Sequence, residues 1–104
     1  MNGALLENYT VSEIQKSYQN VGKEPYLYYY RDKDAKEIDL LMEGDGQLHP
    51  IEIKKTATPE KKMISNFSVI EKSSMQRGIG AVLCLSEKLG AFDKDNLIVP
   101  ISLI

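Results

Sequence analysis

Apolar positions along the chain change their period several times, and each change marks an element. Over residues 3–20 they recur at helical spacing. Val11, Ile14 and Tyr18 share one face, and Leu5, Leu6 and Tyr9 widen the stripe. The segment 20–25 ends that helix with Gly22 and Pro25. Three strand patterns follow, over 26–31, 37–43 and 47–55. The first is rich in tyrosine, a residue favoured in strands. Gly44-Asp45-Gly46 separates the last two, and Asp-Gly between apolar runs is a strong hairpin signal. Thr58-Pro59 opens a second helix, with Thr58 as cap, Pro59 at the first position and Glu60 complementing the dipole. Its stripe is Met63, Phe67 and Ile70, with Lys61, Lys62 and Lys72 elsewhere on its surface. Residues 78–85 are almost continuously apolar and predict a buried strand, parallel to its neighbour because a helical crossover leads to it. Residues 86–96 read as a loop and 97–103 as a last strand, in which Pro100 favours a sheet edge or a bulge.

The order is thus α-β-β-β-α-β-β, an α/β fold with a central mixed β-sheet flanked by helices. The length of 104 residues suits one domain, spanning 1–104. No repeat or low-complexity tract interrupts it. Its two ends, one almost inside a helix and one on an apolar strand, read as those of a piece of a longer protein.

With Asp45-Gly46 as a two-residue turn, Gly44 pairs with Gln47, Glu43 with Leu48, Leu41 with Pro50, and Asp39 with Glu52. Side chains alternate between faces, so Asp39, Glu52 and Lys54 share one face, with Glu37 opposite Lys54. Leu40, Met42, Ile51 and Ile53 take the other face, toward the core. Two carboxylates directly opposite on a sheet repel, by about 1 kcal/mol in water and about 4 at an effective dielectric of 20. A hard cation between them reverses that sign, and carboxylate oxygens plus waters are what Mg²⁺ prefers. The backbone carbonyl of Ile53 offers a further oxygen, and Lys54 points at the same place, where it can orient a water or steady charge on a phosphate. The competing reading is a solvated hairpin face with cross-strand ion pairs. Leu41 and Leu48 on the same face argue against plain surface. Glu7 falls on the apolar stripe of the first helix, where an acid needs a partner, a metal, or a way out to solvent at the edge of the stripe.

Charge modifies this picture. The net charge is −2 and the pI about 5.4, which speaks against a dedicated, tight nucleic-acid binder. The charges are uneven: residues 54–77 hold six bases and two acids, whereas 1–53 hold five bases and ten acids. A local basic patch on an acidic domain is compatible with that. The single cysteine, Cys84, excludes an internal disulfide and fits a reducing compartment, with Cys84 as a core residue. No apolar stretch is long enough to span a bilayer, and a cytoplasmic protein is expected. His49, the single histidine, reads as exposed, which leaves no credible zinc cluster or Ser-His-Asp arrangement. The run Tyr26 to Tyr30 is either a set of stacking platforms for bases or alternating core rings.

Asp39, then Glu52-Ile53-Lys54, with an acid in the preceding helix and a helix and strand after, resembles the PD-(D/E)xK nuclease superfamily, which includes restriction endonucleases, Holliday-junction resolvases and RecB-type exonucleases. The similarity runs from about Leu5 to Leu85. Tyr30-Arg31, Glu37-Ile38-Asp39-Leu40-Leu41 and Pro50-Ile51-Glu52-Ile53-Lys54 are similar, more narrowly, to a domain of unknown function at the C-terminus of prokaryotic AAA-type P-loop ATPases. The resemblance implies a restriction-endonuclease-like core, Asp39, Glu52 and Ile53 as ligands of Mg²⁺ or Mn²⁺, Lys54 as the catalytic lysine and Glu7 as an auxiliary acid and ligand. Ile38 stands where many members have proline, the second helix lacks the Gln-and-Tyr pattern of the RecB branch, and no P-loop motif is present to bind ATP. Two functions follow as expectations. One is metal-dependent hydrolysis of DNA phosphodiesters. The other is a non-catalytic module that docks nucleic acid or protein for an attached or associated ATPase.

Overall fold

Asp45 and Gly46 both adopt positive φ, 53° and 77°, the pattern of a type I′ turn whose twist matches that of the flanking strands. In a computed structural model that describes residues 3–23 and 26–104, this turn joins β2 (Glu37–Gly44) to β3 (Gln47–Ile53). The expected pairing holds: Gly44 faces Gln47, Glu43 faces Leu48, Leu41 faces Pro50 and Leu40 faces Ile51. Helix α1 (Gly3–Asn20) and strand β1 (Tyr26–Arg31) precede the hairpin. A 3-10 helix (Lys61–Lys72), β4 (Gln76–Arg77), β5 (Gly80–Cys84), β6 (Gly90–Asp93), β7 (Asn96–Pro100) and a closing 3-10 turn (Ile101–Leu103) follow it.

The strands form one mixed sheet in the order β1-β2-β3-β5-β7-β6, with β4 paired to β3. β1, β2 and β3 are antiparallel in turn, β5 runs parallel to both β3 and β7, and β6 returns antiparallel to β7. On one face α1 sets Leu6 and Ile14 against Leu40, Ile51, Ile53 and Leu83. On the other, Phe67, Val69 and Ile70 of the 3-10 helix close over Ile38 and Leu41. Among the described residues, no helix is long and apolar enough to cross a membrane.

One irregularity in β2 matters for function. Tyr28 pairs with Leu41 and Tyr30 with Ile38, so Asp39 and Leu40 together lie opposite the single residue Tyr29. That is a β-bulge, with one extra residue on β2. It moves Ile38 out of alternation: Ile38 joins Leu41 beneath the 3-10 helix, while Leu40 between them packs toward α1.

Several expectations are corrected. The second helix begins at Lys61 with Glu60 as its flanking residue. Thr58 instead donates its N–H to Thr56 Oγ1 in a local turn, a conformation that competes with helix start. β3 stops at Ile53 rather than Lys55, and β5 begins at Gly80, after the short β4. The expected loop 86–96 contains β6, which sequence patterning misses because four residues, Gly90–Asp93, carry too little alternation. The last strand ends at Pro100, inside the sheet order and not on an edge strand; the proline is tolerated because it lies beyond the last β6 pair, Gly90 with Ile98. In α1 the stripe is narrower than expected, with Leu5 and Tyr9 exposed. Tyr26, Tyr28 and Tyr29 are exposed rather than alternately buried, because no helix covers them on the edge strand β1. Arg31, not Lys54, is the partner of Glu37, at 3.5 Å. His49 is half-buried: Nδ1 lies 2.8 Å from the Ile79 carbonyl and the ring lies over Gly78, where an added Cβ would come within 2.3 Å of it. Cys84 is buried, as expected.

Candidate functional site

The regular ladder of the hairpin ends at Leu40–Ile51, one pair before the expected juxtaposition of Asp39 and Glu52. Past that point side chains bond to the main chain of the opposite strand. The Ile53 N–H donates to Asp39 Oδ2 at 2.8 Å, and the Asp39 N–H donates to Glu52 Oε1 at 3.4 Å. The bulge frees Asp39 from strict alternation and lets its carboxylate reach across. Lys54 Nζ lies 3.3 Å from Glu52 Oε2, and the Lys54 N–H is anchored to the Leu83 carbonyl at 2.9 Å, which fixes the lysine stem on β5. N–H and C=O of one extended residue point to the same side of the strand, so the Ile53 carbonyl is directed toward Asp39 as well.

The electrostatics are strained in one place. Glu52 is buried, with 5% of its surface exposed. Burial, and then the adjacent Asp39 carboxylate, push its pKa up to about 7, against a smaller lowering by Lys54. Glu7 on α1 is raised too, first by burial and next by Asp39, with Lys54 acting in the opposite direction. Glu7, on the helix, thus lies within electrostatic range of Asp39 and Lys54. Among the described residues, no group of at least three Asp, Glu, His or Cys side chains is close enough to hold a metal ion. The structure therefore unites Asp39, Glu52 and Lys54, contributes the Ile53 main chain, and keeps Glu7 in electrostatic range.

The trio opens into a groove of about 410 Å³, whose opposite wall is Lys62, Met63, Ser65 and Asn66 of the 3-10 helix. Asn66 ties that wall to β2 by donating Nδ2–H to the Glu37 carbonyl at 3.0 Å. Sequence patterning did not single out Asn66 for the site, because it lies well away from Asp39 along the chain and carries no motif. A larger cleft, about 660 Å³, lies at the other end of the 3-10 helix. Its cation, Arg77, is engaged by the Gly78 and Asp95 carbonyls and Asn96 Oδ1 and stacks 5.6 Å from the centre of the Phe67 ring, so it acts as a clamp between segments.

A profile of the family described as domain of unknown function (DUF4143) matches residues 2–104. The chain belongs to this family. DUF4143 domains typically form the C-terminal part of AAA-type ATPases. No curated protein and no solved structure matches the chain. On this DUF4143 chain the site occupies the open end of the central hairpin, with the turn at the far end of the same two strands.

Proposed function

We propose that this DUF4143 domain hydrolyses phosphodiester bonds of DNA with a divalent metal, Mg²⁺ or Mn²⁺, as the C-terminal module of an AAA-type ATPase in the reducing cytoplasm. The observation that carries the reading is the crossed pair of bonds, Ile53 N–H to Asp39 and Asp39 N–H to Glu52, with Lys54 on Glu52. A mixed sheet flanked by helices, with these residues on adjacent strands, supports a restriction-endonuclease-like core.

The donor set fits a hard cation. Two carboxylates, one buried and driven toward protonation by the other, lose their mutual repulsion when a dication lies between them. Asp39, Glu52 and the Ile53 carbonyl would hold it, with Glu7 adding negative charge from α1. Bound there, the metal supplies an activated water and a Lewis acid for the phosphate. The Ile53 N–H holds Asp39 Oδ2 in place on the groove wall. Lys54, pinned at its main chain and half-exposed at its tip, presents an ammonium group that orients the attacking water and meets the charge growing on the phosphate.

The test is cleavage of single-stranded, duplex and branched DNA with Mn²⁺, wild type beside Lys54→Ala. Metal-dependent cutting that disappears in the variant is the expected result. A folded wild type that cuts none of them overturns hydrolysis. A second reading, a non-catalytic docking module for the ATPase, is favoured by the absence of a third grouped carboxylate among the described residues. It predicts that Asp39→Ala and Glu52→Ala leave partner affinity intact.

A further inference from the structure

The bulge that displaces Asp39 leaves Tyr29 as the single residue opposite it on β1. β1 is an edge strand, and Tyr29 is 60% exposed. Its hydroxyl pKa is raised, first by burial and then by the Glu37 carboxylate, and Glu37 lines the groove that holds Asp39, Glu52 and Lys54. Glu37 is itself paired with Arg31 at 3.5 Å, so the acid beside the ring is largely compensated. The result is an exposed aromatic ring on the strand position opposite Asp39, which itself lines a groove whose cations are Lys54 and Lys62. Tyr28, almost as exposed, has different surroundings: its hydroxyl bonds Glu43, toward the turn end of the hairpin.

We propose that Tyr29 is a stacking platform for one unpaired base beside the Asp39–Glu52–Lys54 groove, so that the nucleic acid this domain takes is a single strand or a frayed end and not an intact duplex. The placement of the phosphate in the groove rests on the hydrolysis reading above. Within a duplex each base is already stacked on its neighbours and must be extruded to meet a side chain, at a cost that a single strand does not bear. An aromatic face accepts any base, so the platform selects for strandedness and not for sequence.

The test uses the whole chain in a Lys54→Ala background with Mn²⁺, so that bound strands are not consumed. The natural sequence has no tryptophan, so the indole of a Tyr29→Trp variant reports on this position alone. Oligothymidylate should quench it, and a duplex of equal length should not. Tyr29→Ala should weaken single-strand binding about tenfold, within the range for loss of one base–aromatic stack. Tyr29→Phe should restore most of that affinity, and Tyr28→Ala should leave it unchanged. Oligouridylate in a parallel arm separates RNA from DNA as the source of the strand. Single-strand binding indifferent to Tyr29→Ala, duplex binding as tight as single-strand binding, or no binding of either would overturn the proposal. Tyr29-dependent binding without Mn²⁺-dependent cutting by the wild type would remove hydrolysis and leave the platform standing. Cutting indifferent to Tyr29→Ala would do the reverse.

Discussion

The hairpin of β2 and β3 behaves differently at its two ends. From Gly44–Gln47 to Leu40–Ile51 the strands pair residue for residue, close a type I′ turn, and put Leu40 and Ile51 into the core under α1. Beyond Leu40–Ile51 the carboxylates of Asp39 and Glu52 take the place of main-chain partners, and a buried acid is held at a raised pKa. The first end is optimised for pairing. The second forgoes regular pairing and leaves two acids and a lysine facing a groove. A β-bulge separates the two, and bulges commonly occur where a strand re-aims a side chain.

The comparison can be broken from either side. Ile51→Ala removes a buried side chain from the regular end and should cost about 2–5 kcal/mol in urea unfolding, without changing the charge of the groove. An effect under 1 kcal/mol would mean that the ladder end is not the stabilising half.

At the open end the leading effect is on pH dependence. Glu52 holds its proton more tightly folded, at about 7, than unfolded, near 4.5. The stability this contributes is complete below pH 4.5 and is lost as pH rises through 7, on the order of 3 kcal/mol over that window. Glu52→Gln should flatten this part of the pH–stability curve and be more stable than wild type at pH 8. On the proposed function, saturating Mn²⁺ should also flatten it, with a proton released on binding near pH 6. Denaturation curves across the window, with and without metal, measure all three, and parallel curves for wild type and Glu52→Gln would refute the strained pair.

The smallest effect belongs to the turn. Gly46→Ala places a side chain at a φ of 77° and should cost about 1 kcal/mol. Asp39, Glu52 and Lys54 should keep their arrangement, so metal binding measured on that variant should match wild type. A loss of metal binding there would show that the two ends are coupled and not separable.

The particular residues explain how much of this was legible. Asp45-Gly46 specified both the turn and the register, and with them the neighbourhood of Asp39 and Glu52, because a two-residue loop leaves the strands no freedom to slip. The crossover to a parallel β5 was readable from the length of chain between two apolar runs. The bulge was not readable, since no residue type in Ile38-Asp39-Leu40 requires it; it is consistent with Ile38 and Leu41 both being drawn under Phe67 and Ile70 while Leu40 is drawn under α1. Nor was β6, whose four residues gain their place only by pairing with β7. The exposure of Tyr29 depends on its strand lying at the edge of the sheet, a fact of strand order that local pattern does not contain.

By itself, then, the sequence determined the hairpin, its register and the convergence of two carboxylates with a lysine, because local turn chemistry and strand period act over a few residues. The tertiary structure alone decided the strand order, the bulge that turns Asp39 toward Ile53, the wall supplied by Asn66 and Lys62, and the burial that raises Glu52. Those depend on which distant segments compete for the same face of the sheet, and the energy of such packing is shared among elements that no single stretch of sequence encodes.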